Sequence, residues 1–323
     1  MSSTDRIPLG IAFMLGFCAL APMIDVSSKL AAQSVPVGEI TLARFVVQAA
    51  LMAPLVWWQG QSFRLRGRAL QLTLLRAAVS ILSTYCFVAA VRVMPIADAL
   101  AIVFVEPFLI LGLGWLIWHE QVGPRRIVAS GVGFLGALLV IQPSFATFGA
   151  VAFFPLGTAL GFALYILITR QLAPLQHPIE MQFHTAFVAM ALWAPVIWLA
   201  KGSGLPALDP VRPEGWAWAF LIGVGGFATL SHILIGFGLR FAPAATLAPL
   251  HYLEIVSAAT VGYLFFGNFP DALTWAGIGV IVASGLYIIH RERVLAKRPA
   301  PAPAPPLPAG PAAGSPASAA PRS

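Results

Sequence analysis

Apolar residues fill the chain in long unbroken stretches, and polar ones collect in the short gaps between them. Ten stretches have spanning length, at roughly 9–31, 38–58, 70–91, 96–118, 125–142, 149–170, 180–200, 215–238, 243–266 and 271–290. About 20 residues at 1.5 Å each cover a hydrocarbon core of ~30 Å, so each stretch is expected to be one transmembrane helix. The gaps carry turn residues, as in "MPIAD" (94–98) and "GNFPD" (267–271). The expected fold is therefore an all-α polytopic membrane protein with ten transmembrane helices. The first stretch imitates a signal peptide, with Arg6 before an apolar run that reaches Ala19-Leu20-Ala21. Pro22 follows that site and the run continues to Ala31, so a first spanning helix is expected instead.

The pattern also repeats. An offset of 148 residues lays Arg92 on Arg240, Pro95 on Pro243, Ala97 on Ala245, Glu106 on Glu254, Gly114 on Gly262 and Gly131 on Gly279. Nearer the start the offset is 141 or 142, pairing Lys29 with Arg170, Glu39 with Glu180 and Pro36 with Pro178. Each unit holds five helices. Because five is odd, the second unit must start on the opposite side of the membrane, so two inverted five-helix repeats are expected, at 9–142 and 149–290. Inverted repeats recur in secondary transporters, where the symmetry supplies two states of similar energy around a midplane site.

Composition and charge sharpen this. The chain is 59% hydrophobic and 10% charged, against about 25% charged for a soluble domain. The net charge of +7 is spread over short loops and the chain end, which is a topology signal and not a nucleic-acid stripe. With the N-terminus inside, Arg6, Arg64, Arg66, Arg68, Arg125, Arg126, Arg170, Arg240, Arg291, Arg293, Lys297 and Arg298 are cytoplasmic. Lys29, Arg92, Lys201 and Arg212 are outside. That bias places both termini in the cytoplasm, with 1–8 as a short cytoplasmic N-terminus. The proline- and alanine-rich segment 299–323 cannot bury a core and is expected to be a disordered cytoplasmic tail. Cys18 and Cys86 lie in apolar segments without metal-ligand spacing, so neither a disulfide framework nor a metal site is expected.

Ionisable residues inside spans carry the candidate chemistry, because each costs roughly 2.5–3.5 kcal/mol on insertion scales. Glu106 and Glu254 fall near mid-membrane in the fourth and ninth stretches, beside Pro107 and Pro249, whose rings remove helix hydrogen bonds. They are the candidates for a coupling ion as well as for substrate. His251 shares a helical face with Glu254, and Tyr252 projects about 100° round. Asp25 and Lys29 are spaced to pair across one turn. Arg44 keeps its charge and needs a carboxylate partner or an anionic substrate. Tyr85 and His232 complete the candidate substrate set. Asp98, Arg92 and His184 read as loop or interhelical hydrogen-bonding residues. Gly112, Gly114, Gly131, Gly133, Gly136, Gly277 and Gly279 read as helix-packing positions. Trp57, Trp58, Trp115, Trp118, Trp198, Trp216 and Trp218 read as interfacial belts.

Enzyme signatures such as HExxH, GxSxG and GxxxxGK[ST] do not occur, so a non-enzymatic protein without cofactor is expected. His119-Glu120 reads as a helix-end cap. The ten helices, the duplicated halves and "MPIADALAIVFVEPFLILGLGWLIWHEQV" (94–122) resemble the drug/metabolite transporter superfamily, in particular its EamA-type proteins, over about residues 7–292. In that family an acidic residue commonly follows the fourth and ninth helices. Glu120 matches, whereas Asn268 departs from the pattern. More narrowly, "DVSSK" (25–29), "ARF" (43–45) and "APLHYLEI" (248–255) look like bacterial members associated with S-adenosylmethionine uptake; other relatives carry riboflavin, amino acids or drugs. The resemblance implies an inner-membrane secondary carrier, monomeric or dimeric, moving a small polar or zwitterionic metabolite by alternating access. Import and export both remain open, and a channel or membrane-embedded enzyme is the rival reading.

Overall fold

The computed structural model describes residues 7–61, 64–118, 124–172, 174–241, 250 and 253–296. Pro249, His251, Tyr252, His119, Glu120 and the 299–323 tail lie outside the described residues.

The described chain is helical throughout, with no strand among the described residues. Its elements are α1 (Ile7–Ala31), α2 (Val37–Trp58), α3 (Gly67–Val91), α4 (Ile96–Val103), α5 (Glu106–Trp118) and α6 (Pro124–Phe148). A 3-10 turn (Gly149–Phe153) leads into α7 (Phe154–Leu172), followed by α8 (Pro178–Leu199), α9 (Ala217–Phe241), α10 (Leu253–Phe266) and α11 (Ala272–Ala296). Seven spans among the described residues are long and apolar enough to cross a membrane; Leu253–Phe266 and Ala272–Ser284 are shorter apolar helices. The protein is an all-α polytopic membrane protein.

The fourth expected stretch departs from a single helix. It is broken at Phe104 and Val105, so Glu106 opens α5 instead of lying eleven residues inside a continuous helix. Pro107 accounts for the break: a proline has no N–H to donate to the carbonyl four residues back and its ring clashes with it. That carbonyl belongs to Val103, the last residue of α4.

Helices pair across the chain's two halves. α1 runs along α9, α3 along α7, α2 along both α8 and α9, α3 also on α8, and α6 along α11. α10 rests on α1 and α4, while α7 rests on α4 and α5. Exchanging α1, α2, α3, α4/α5 and α6 with α7, α8, α9, α10 and α11 leaves these pairings unchanged. Glycines permit the closest approaches. A Cβ on Gly136 would lie 2.8 Å from Val280 of α11, and one on Gly225 would lie 2.4 Å from Val47 of α2. Gly112, Gly131 and Gly279, by contrast, have no neighbour within 4 Å of such an atom.

The largest apolar cluster gathers α4 with Ala159, Ile255, Ile278 and Ile281. Polar side chains are concentrated between α2, α3, α7, α8 and α9. Trp57, Trp58, Trp198 and Trp216 are exposed near helix ends, where an amphipathic ring suits the membrane interface.

Candidate functional site: a cationic cavity between the two halves

α3 builds the site from one helical face. Arg76, Ser80 and Thr84 follow one another at i, i+4 and i+8, so they stack along one side. Arg76 is 1% exposed, a full guanidinium inside an apolar bundle. A buried charge persists only where its donors are satisfied. Nε donates to Thr169 Oγ1 at 2.8 Å, and Nη1 donates to the Met181 carbonyl at 3.3 Å. Nη1 also donates to Thr185 Oγ1, and Nη2 to the Tyr165 hydroxyl. The guanidinium lies over the Tyr165 ring, 4.0 Å from its centroid, a cation–π contact that is strongest when desolvated.

The acceptors pass their own protons onward. Tyr165 donates to Gln182 Oε1 at 3.2 Å, Thr185 to the Met181 carbonyl at 2.8 Å, and Thr169 to the Tyr165 carbonyl at 2.6 Å. Arg76 therefore ties α3 to α7 and α8 without any carboxylate.

In front of this layer is a cavity of about 50 Å³. Arg44, Phe45 and Gln48 of α2 line it with Ser80, Ser83 and Thr84 of α3, Phe162 and Tyr165 of α7, Gln182 and Thr185 of α8 and His232 of α9. Arg44 Nη1 donates to Thr84 Oγ1 at 2.6 Å. Its Nε, and Nδ1 of His232, are buried without a hydrogen-bond partner among the described residues. Gly225 brings these two residues together. It lets α9 approach α2 at Val47 and the Arg44 carbonyl, and His232 follows seven residues later on the same face.

Asp25 and Glu254 form a neighbouring acidic pair. Each is 8% exposed. Asp25 on α1 is within electrostatic reach of both Glu254 and Arg44. Cys18, two turns before Asp25, donates its thiol to the Leu250 carbonyl at 3.2 Å, so this face of α1 runs along the entry to α10.

Of the sequence candidates, Arg44, His232, Asp25 and Glu254 thus come to one region. Glu106 is half-buried at the start of α5 and is not in the cavity wall. Tyr85 lies against Trp193 in an apolar crevice between α3 and α8, with ring centroids 5.9 Å apart. Lys29 does not pair with Asp25. It donates to the Met94 carbonyl, sits 5.2 Å from the Phe266 ring centroid, and is in electrostatic reach of Asp98. His184 bonds Gln176 of the loop that leads into α8, at 3.2 Å. Arg76, Tyr165, Gln182 and Thr185 are the residues sequence reasoning passed over. An arginine inside the 70–91 stretch is itself the signal that finds them.

The sequence profile of the EamA-like transporter family matches residues 8–142 and again 149–290. The chain belongs to this family. A riboflavin transporter of Brucella anthropi is 24% identical over 86% of this chain and 98% of its own length. An S-adenosylmethionine uptake transporter of Rickettsia prowazekii is 25% identical over 88% and 93%. A pseudopaline exporter of Pseudomonas aeruginosa is 27% identical over 82% and 90%. One crystal structure superposes with a TM-score of 0.61 at 17% identity, over 88% of this chain and 98% of that one, and shares the fold. This EamA protein is a non-enzymatic secondary transporter of a small polar metabolite across a membrane. The polar pocket in an otherwise apolar bundle is what such a task requires, since a solute crossing lipid must find its hydrogen bonds in the protein.

Proposed function

We propose that the protein is a secondary-active inner-membrane carrier that binds its metabolite at the Arg44 cavity and exposes it alternately to each side. The observation that carries the reading is that cavity, lined by α2 and α3 of one half and by α7, α8 and α9 of the other. A site shared by two halves opens to either side when one half rocks against the other. Two inverted five-helix repeats, 9–142 and 149–290, with 1–8 and 299–323 outside them, form the rocking units. Support comes from the duplicated family match and from helix pairings that survive exchange of the halves. A cavity of about 50 Å³ holds one small polar group and a few waters, so a whole metabolite enters only after the helices part.

Both termini are cytoplasmic in this reading, from the excess of Lys and Arg at one end of the bundle. Glu254, with Asp25 close by, carries the coupling ion or a cationic substrate group, and Glu106 is its counterpart in the first repeat. His251 and Tyr252, beside Glu254 in sequence, shape specificity, and Tyr85 contributes from the α3–α8 crevice. Relatives include both uptake proteins and an exporter, and a secondary carrier runs either way according to its gradients. Import is the primary reading and export the second. A homodimer is compatible with either.

The test is reconstitution of the purified chain in proteoliposomes with a panel of labelled metabolites, among them S-adenosylmethionine, riboflavin and amino acids. Saturable, gradient-dependent flux is expected for one of them, and Glu254→Gln should abolish it while membrane insertion is retained. Wild-type flux in Glu254→Gln removes Glu254 from the mechanism; single-channel currents or product formation in detergent would overturn the carrier reading itself.

A further inference from the structure

We infer that the Arg44 cavity is a receptor for a carboxylate on the transported metabolite, an inference that rests on the transport reading above. The wall residues that carry polar groups are arginine, glutamine, serine, threonine, tyrosine and histidine, and no aspartate or glutamate lines the cavity among the described residues. Directly behind the wall lies the second guanidinium, Arg76, whose partners are three hydroxyls and a carbonyl. Among the described residues no carboxylate comes within the 4.0 Å of an ion pair with either arginine. Asp25 acts on Arg44 only across a longer distance. Among the described residues, the pocket is thus built around two positive charges and its wall holds no carboxylate.

The free donors point the same way. Arg44 spends Nη1 on Thr84. That leaves Nε, buried and unpartnered, on the edge it shares with Nη2. This side-on fork offers two parallel N–H bonds, the arrangement that fits a planar carboxylate bidentately. Gln182 accepts from Tyr165 through its carbonyl oxygen, so its amide N–H₂ remains for the cavity. Arg76 acts as a positioning residue. By donating to the Tyr165 and Thr185 hydroxyls it directs their protons to Gln182 Oε1 and the Met181 carbonyl, which fixes the Gln182 carbonyl oxygen as an acceptor away from the ligand. A cavity of about 50 Å³ accommodates a carboxylate rather than a whole metabolite, so the rest of the molecule extends into space that opens with the helices. A cationic group there would face two like charges, which is how the site rejects it.

The test reads the cavity's charge without knowing the substrate. In the full chain in nanodiscs, with Cys18→Ala and Cys86→Ala, Ser80→Cys places one thiol on the wall. Its modification rate is measured with sulfonatoethyl and with trimethylammonioethyl methanethiosulfonate, each normalised to a free thiol. The anionic reagent should be favoured by at least about ten-fold, the lower end of what a focused field gives. Arg44→Gln should bring the ratio near one, Arg76→Gln should lower it, and Arg76→Lys should preserve it. Acetate, but not the isosteric amide acetamide, should slow modification when Arg44 is intact; that arm needs no arginine variant to fold. A ratio near or below one in the intact cavity, or equal effects of acetate and acetamide, overturns the carboxylate site and leaves the carrier reading standing. No reaction with either reagent means that water does not reach the cavity, and overturns both.

Discussion

Replacing Gly225 by alanine perturbs the packing that positions Arg44. The added Cβ would lie 2.4 Å from Val47 Cβ, 2.7 Å from its Cγ1 and 3.0 Å from the Arg44 carbonyl oxygen. Ordinary contact begins near 3.4 Å, so α9 and α2 must separate by about 1 Å. Val47 has no low-energy escape, because a β-branched side chain on a helix is stiff at χ1, and the other obstacle is backbone. Overpacking of this kind costs roughly 1–3 kcal/mol. Gly279→Ala is the matched control, since nothing lies within 4 Å of its Cβ position. There alanine should be neutral or stabilising by up to ~1 kcal/mol through helix propensity. Thermal unfolding of the two variants in one detergent should therefore move the apparent melting temperature down for Gly225→Ala and flat or up for Gly279→Ala. Metabolite flux should fall only in the first, because the displaced backbone carries Arg44 away from His232. Equal melting temperatures for the two variants would refute the close approach of α9 to α2.

Two further outcomes follow from single hydrogen bonds. Tyr165→Phe removes the hydroxyl that accepts from Arg76 and donates to Gln182; a bond to a charged group is worth about 1.5–3 kcal/mol, and the ring's cation–π contact remains, so a loss at the low end is expected in thermal unfolding, with weakened substrate affinity. Asp271 caps α11, its Oδ1 accepting from the Thr274 N–H at 2.6 Å, and that bond holds its carboxyl below the usual carboxylate range. A carboxyl depressed in the folded state stabilises fully above its unfolded pKa and loses the effect as pH falls through the folded one. Asp271→Ala should therefore cost about 1 kcal/mol at neutral pH, Asp271→Asn much less, and the gap between wild type and Asp271→Ala should close below a pH of about 3.8. A gap that persists unchanged into acid would dissociate it from the cap.

How far the sequence carried depends on which residues one asks about. Spanning length and hydropathy find the helices because lipid leaves the backbone few alternatives. The break before Glu106 was also written in the chain, in the distance from Pro107 back to Val103, but an apolar window averages over it. Asp25 and Lys29 illustrate the opposite failure. Their i, i+4 spacing allows a pair, yet Lys29 turns to the Met94 carbonyl and Asp25 faces Arg44 and Glu254. Spacing along one helix cannot weigh partners that other helices bring. Arg76 was overlooked for a different reason. Counting arginines in loops assigns topology and passes over one inside a span, although that position is the costlier place for a charge.

The internal offsets show how scaffold and chemistry divide. At an offset of 141, Arg44 falls on Thr185; at 148, Thr84 falls on His232 and Arg76 on Val224. The contact between Arg44 and Thr84 in one half thus corresponds to the positions of Thr185 and His232 in the other. All four meet at the same cavity, so the backbone framework around it is duplicated. The charges are not: both guanidiniums come from α2 and α3, and Arg76 has only a valine opposite. In the carrier proposed above, a duplicated framework keeps the outward and inward arrangements close in energy, and a charge placed on one half alone travels with that half. The carboxylate inferred for the cavity is then carried by α2 and α3 through the proposed cycle, while α8 and α9 line the opposite wall with neutral side chains.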